Sequence, residues 1–152
     1  MHKRSRAYTD GVVAALFVFS ITTILALTVK SQTKPQLDGT WLVSAVDPGG
    51  PVAGIDSQEA ERLKGNKLTI TSEELTFQSA HCKRPSFSFR KEPSEHFFKR
   101  FYHTSAAPFA LPTTVTVVSI KCEDKSLFGP LVIKNQRRIL FNWYGMILTA
   151  DR

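Results

Sequence analysis

Hydrophobic and polar positions follow one rule in the first quarter of this chain and another in the rest. Gly11 to Val29, GVVAALFVFSITTILALTV, carries no charge and is broken only by Ser20, Thr22, Thr23 and Thr28. As a helix rising ~1.5 Å per residue it would cover roughly 28 Å, close to the hydrocarbon thickness of a bilayer. After the polar stretch 30–36, alternation takes over. From about Thr40, the positions Trp41, Val43 and Ala45 alternate with Leu42, Ser44 and Val46 and predict a strand. Asp47-Pro48-Gly49-Gly50-Pro51 ends it. Asp56 as a cap, Glu59 three residues on and Gly65 beyond predict a short helix with Ile55, Ala60 and Leu63 turned inward.

KLTITS (67–72) and LTFQ (75–78) read as a hairpin around Glu73-Glu74. SFSFR (86–90), TTVTVVSIK (113–121), PLVIK, RILFNW and MILTADR are further strands, with turns near Asn135-Gln136 and near Gly145. Between them Pro93-Ser94 open EHFFKRFYH, in which Phe97, Phe98, Phe101 and Tyr102 recur at helical spacing. About eight short strands and two short helices, without βαβ spacing, predict a mainly β fold: an antiparallel sheet closed as a small barrel or folded as a sandwich.

The predicted organisation is a cytoplasmic basic tail (1–10), a transmembrane helix (11–29), a linker (30–36) and an extracytoplasmic β-barrel domain (37–152). Lys3, Arg4 and Arg6 hold the N-terminus in the cytoplasm by the positive-inside bias. A cleaved signal peptide is the alternative, but the apolar run exceeds the usual ~7–15 residues, and Ala26-Leu27-Thr28 makes a poor cleavage site. Both readings put everything after Val29 outside the cytoplasm.

Charge and cysteine content sharpen this picture. The net charge is +7, but residues 37–152 hold 15 Lys and Arg against 12 Asp and Glu, net +3. More than half of the excess belongs to the apolar segment and its flanks, which removes the main argument for a nucleic-acid partner. Cys82 and Cys122 are the only cysteines, and a pair in an oxidising compartment predicts a disulfide, with two buried thiols as the alternative.

Catalytic signatures are lacking: neither a G-x-S-x-G elbow nor an H-E-x-x-H pair occurs. No catalytic residue, metal site or cofactor is therefore expected. His81-Cys82 with Cys122 and His96 or His103 is the nearest approach to a metal set, but neighbouring residues in an extended segment point opposite ways. Residues 83–103, KRPSFSFRKEPSEHFFKRFYH, interleave cations with aromatics. Such a pattern suits base stacking, a core helix with solvated cations, or a helix resting on an anionic membrane. The core-helix reading is preferred.

Gly39-Thr40-Trp41 at the start of the first strand resembles the G-x-W opening of lipocalins, fatty-acid-binding proteins and other calycin barrels. That resemblance implies a Trp41 that closes the barrel base and a late arginine packed on its indole. Arg152 is the best match, with Arg137 or Arg138 as alternatives. The chain is also similar to bacterial lipocalin-like exported domains through Glu59-Ala60, Leu63, Gly65 and Leu68, the C-x-x-P of Cys82 to Pro85, and its W-x-G ending. The resemblance implies a bacterial inner-membrane setting with the domain in the periplasm.

Two non-enzymatic functions follow as expectations. One is a tethered module that recognises an envelope protein. The other is a binder of a small apolar or amphipathic lipid-like ligand, with Phe97, Phe98, Phe101 and Tyr102 as a lid on the barrel mouth. The 11 Phe and 2 Trp favour a filled barrel, and with it the interaction module.

Overall fold

A computed structural model of the protein describes residues 36–49, 54–124 and 128–152. The apolar segment Gly11 to Val29 lies outside them. Among the described residues, no helix is long and apolar enough to cross a membrane.

The alternating segments form nine strands: β1 (Gly39–Pro48), β2 (Lys67–Ile70), β3 (Glu74–Phe77), β4 (Ala80–Lys83), β5 (Ser86–Pro93), β6 (Thr114–Lys121), β7 (Leu131–Asn135), β8 (Arg138–Trp143) and β9 (Met146–Asp151). Two helices, α1 (Ser57–Arg62) and α2 (Ser94–Phe101), and a 3-10 turn (Ala107–Phe109) complete the described elements. All strands join one antiparallel sheet in the order β4-β3-β2-β1-β9-β8-β7-β6-β5, curled into a half-barrel. The sheet therefore holds one strand more than the eight predicted, the addition being β4. Ala80-His81-Cys82-Lys83 carries a single fully buried side chain, Cys82, too little for an alternation signal.

The first predicted alternation also breaks. Trp41 and Val43 face the concave side, but the register against β9 shifts between Val43 and Ala45, and Val46 rather than Ala45 packs on the concave core. One extra residue in a strand inverts the phase of all that follow.

Each face of the curl holds a core. On the concave side Trp41, Leu68, Ile70, Leu75, Phe77, Leu131, Ile139 and Phe141 are all below 2% exposed, with α1 contributing Ala60 and the following Leu63. Phe77 of β3 meets Phe141 and Trp143 of β8 edge-on, with centroids 5.0 and 4.9 Å apart. These strands are not neighbours in the sheet, so the contacts cross the curl and hold it closed. On the convex side, Val115, Val117, Val132, Leu140 and Ile147 are covered by α2 and the 3-10 turn. Strands β6 to β9 are buried on both faces, which is why they read as nearly continuous apolar runs.

α1 starts where the cap predicted. Asp56 accepts a hydrogen bond from the Glu59 amide at 2.7 Å. At the β8–β9 turn both Tyr144 (φ 47°) and Gly145 (φ 80°) are left-handed, the geometry of a tight hairpin. The Gly49 amide donates to the Gly145 carbonyl at 2.8 Å, and a Cβ on Gly49 would lie 2.3 Å from that oxygen. Only glycine fits this crossing.

Candidate interaction surface

Helix α2 begins directly after β5, whose last ladder pair is Pro93 with Thr114, and Ser94 is tied back. Its amide donates to the Thr113 carbonyl at 3.0 Å and its hydroxyl to the same oxygen at 3.3 Å. In the same first turn Glu95 accepts from the Ala106 amide at 2.9 Å and the Ser105 hydroxyl at 3.2 Å, pinning the return loop to the helix. The Ala106 bond, against a smaller desolvation penalty and with help from Lys99, holds the Glu95 carboxyl below its ordinary value.

The predicted aromatic quartet divides. Phe97 and Phe98 are fully buried and Tyr102 nearly so, all on the convex face, opposite the Trp41 core. Burial pushes the Tyr102 phenol up. These three are core residues, as the spacing of an amphipathic helix allows, and they do not form a lid over the concave interior. Phe101 alone is exposed, at 45%. It stacks on Phe97 at 4.8 Å, and the guanidinium groups of Arg90 and Arg100 stand 6.0 and 5.0 Å from its centroid.

Glu92 organises those cations. Its carboxylate takes Arg100 Nη2 at 2.5 Å, Arg90 Nε at 3.1 Å and His96 Nδ1 at 3.2 Å. Arg90 is held from a second side by the Ser119 hydroxyl at 2.7 Å. Desolvation raises the Glu92 carboxyl, but hydrogen bonding and charge from Arg90, Arg100 and His96 together outweigh it and leave it below the usual 4.5. The sequence reading missed Glu92. A signal existed in its spacing, since His96 and Arg100 follow at helical intervals of four, although Pro93 intervenes.

A depressed carboxyl pKa stabilises the fold above the unfolded value, and that contribution disappears as pH falls through the folded one. Glu92→Gln is expected to cost about 1 kcal/mol at neutral pH, kept small by half-exposed arginines. The gap between the two proteins should close as pH drops below 4.5. Urea titrations at stepped pH would measure it. A gap independent of pH would show that the charge of Glu92 is immaterial.

The other predicted residues are elsewhere. Arg152 lies over the Trp41 indole at 4.4 Å, while Arg138 pairs instead with Asp151 through bonds of 2.6 and 2.9 Å. Cys82 and Cys122 form a disulfide. His81 is half-exposed and points away from it, 3.2 Å from Glu74 Oε2. Among the described residues, no group of three or more His, Cys, Asp or Glu is placed to hold a metal.

No family profile, curated protein or solved structure matches this chain. Besides the Phe101 face, an open groove of about 340 Å³ lies beside the β8–β9 turn, lined by Ala80, Phe128, Gly129, Asn142, Trp143 and Tyr144. Tyr144 stands 63% exposed at its rim.

Proposed function

We propose that this chain is a membrane-tethered, extracytoplasmic interaction module that carries out no chemistry of its own. The observation that carries this reading is how the interior is filled. The concave side of the curl is packed with Trp41, Phe77, Phe141 and aliphatic side chains below 2% exposure. A barrel of ~8 strands either holds one small ligand or is filled by its own residues, and the burial of these side chains within the nine-strand half-barrel supports the second kind. The tether rests on the uncharged run Gly11 to Val29 behind Lys3, Arg4 and Arg6. A periplasmic location agrees with the disulfide. Arg152 over Trp41 supports a relation to lipocalin-like, calycin-type barrels.

The second reading, a lipocalin-like binder of a small apolar or amphipathic ligand, draws on the groove beside Phe128, Trp143 and Tyr144. Native mass spectrometry of the full chain, extracted in mild detergent from its own cells, separates the two. The module reading expects the bare chain mass or that of a protein complex. A stoichiometric small-molecule adduct that survives activation would replace it with the ligand reading. A reporter fused after Arg152 should be active only outside the cytoplasm, and activity confined to the cytoplasm would overturn the location.

A further inference from the structure

Residues 83–103 hold six Lys and Arg against two Glu, net +4, whereas the rest of 37–152 nets −1. The stretch from the end of β4 through β5 and α2 thus carries the whole positive excess of the domain. Part of it is neutralised locally, since Arg84 pairs with Glu123 and Lys99 with Glu95. Of the cations that remain, Arg90 and Arg100 flank Phe101. The side chains of Arg90 and Arg100 are 40% and 50% exposed, although both also touch Glu92.

Glu92 is shared among Arg90, Arg100 and His96, and the two arginines alone outnumber it in charge, so the cluster stays cationic while its members are held in place. An arginine fixed by a second partner has already lost much of its rotamer freedom, so less is lost when a ligand arrives. Guanidinium groups bind phosphate oxygens in a planar fork, and a ring between them suits the boundary between headgroup and acyl chain.

We propose that this face, Phe101 with Arg90 and Arg100, docks on anionic lipid headgroups of the membrane that tethers the chain. The proposal rests on the tethered reading above. A linker of residues 30–36 reaches at most ~25 Å when extended, so the domain is confined near the bilayer surface. Such confinement turns a weak surface contact into a populated one. A protein partner would meet the same cations, but the linker keeps the exposed ring and its arginines beside headgroup phosphates, which favours that surface. Each basic residue near an anionic leaflet strengthens binding by about fivefold, so the contact should depend steeply on headgroup charge and salt.

The test uses full-length Phe101→Trp reconstituted in vesicles of phosphatidylcholine alone, or of phosphatidylcholine mixed with phosphatidylglycerol, each with brominated acyl chains. Emission is read as the difference from the wild-type chain, which cancels Trp41 and Trp143. The expected result is quenching of the introduced indole several-fold stronger in the anionic vesicles, reversed near ~1 M salt, where the screening length falls to ~3 Å. Arg100→Gln should weaken that quenching about fivefold. Quenching that is equal in both vesicles, or absent from both, overturns the proposal even if the chain is inserted. Flotation with neutral vesicles under alkaline carbonate reports the tether separately. If the chain fails to float there, the tethered reading falls, and salt-sensitive flotation of the added chain with anionic vesicles alone then decides the headgroup claim.

Discussion

Trp41→Ala should lower the stability of the folded unit by about 4–5 kcal/mol, one of the largest effects a single substitution can have here. The indole is 1% exposed, so its removal leaves a cavity that the surrounding β-strands cannot close. Two directional contacts are lost as well. Nε1 donates to the Leu37 carbonyl at 2.9 Å, a bond that clamps the entering chain to the base of the curl. Arg152 loses the ring beneath its guanidinium, worth ~0.5–2 kcal/mol.

Arg152→Ala isolates the second contribution. It should cost only about 1 kcal/mol, because Arg152 is exposed and its bonds to the Gln136 and Asp38 carbonyls can be taken over by water. Trp41→Phe keeps most of the ring and should fall between the two. With an unfolding slope of ~2 kcal/mol per molar, Trp41→Ala should move the urea midpoint down by about 2 M. A midpoint shift no larger than that of Arg152→Ala would mean that the indole is not the keystone of the concave core.

Trp41 also marks the boundary of what could be read from the chain. Strands with one solvated face announced themselves by alternation. Leu68 and Ile70 in β2, and Leu75 and Phe77 in β3, point inward while their neighbours meet solvent. Helix α1 was legible because its start is a local hydrogen bond between Asp56 and Glu59. Arg152 came from the calycin resemblance, since no local rule links residues at opposite ends of a domain. The bulge after Val43 was hidden because composition does not show which residue a partner strand skips.

The candidate surface was half legible. Spacing showed that Phe97, Phe98, Phe101 and Tyr102 share a helical stripe, but a stripe does not say which face of a sheet it covers. Here it covers the convex face, leaving the concave side to β1–β9 and α1. The exposure of Phe101 beside the fully buried Phe97 and Phe98 depends on how α2 lies on the sheet, which is a tertiary matter. The role of Glu92 is tertiary too, because Ser119, which fixes one of its arginines, comes from β6.

Reduction of Cys82–Cys122 should rival Trp41→Ala in effect, and the sheet order explains why. Cys82 sits in β4, one edge of the sheet, and Cys122 follows β6, the neighbour of the opposite edge strand β5. The bond therefore joins the two ends of a nine-strand sheet that is otherwise open. Its neighbours are weaker links: a Glu123 amide donating to the Lys83 carbonyl at 2.9 Å, a Lys83 amide donating to Asp124 at 3.3 Å, and the Arg84–Glu123 ion pair.

Closing a loop with a sequence separation of 40 stabilises by about 4 kcal/mol on the chain-entropy account. For a domain of this size that is a large part of the ~5–15 kcal/mol available. The loss should also be uneven. β4 has four residues and, among the described residues, β3 as its only ladder partner, so without the bond it becomes the weakest strand in the sheet. Hydrogen exchange of the Cys82→Ala/Cys122→Ala chain should show residues 80–83 and 122–124 losing protection first, with β8 and β9 the last to open. A double variant with an unchanged urea midpoint and intact protection in β4 would show that side-chain packing alone closes the curl. In that case the contacts of Phe77 with Phe141 and Trp143 across the concave core would be sufficient.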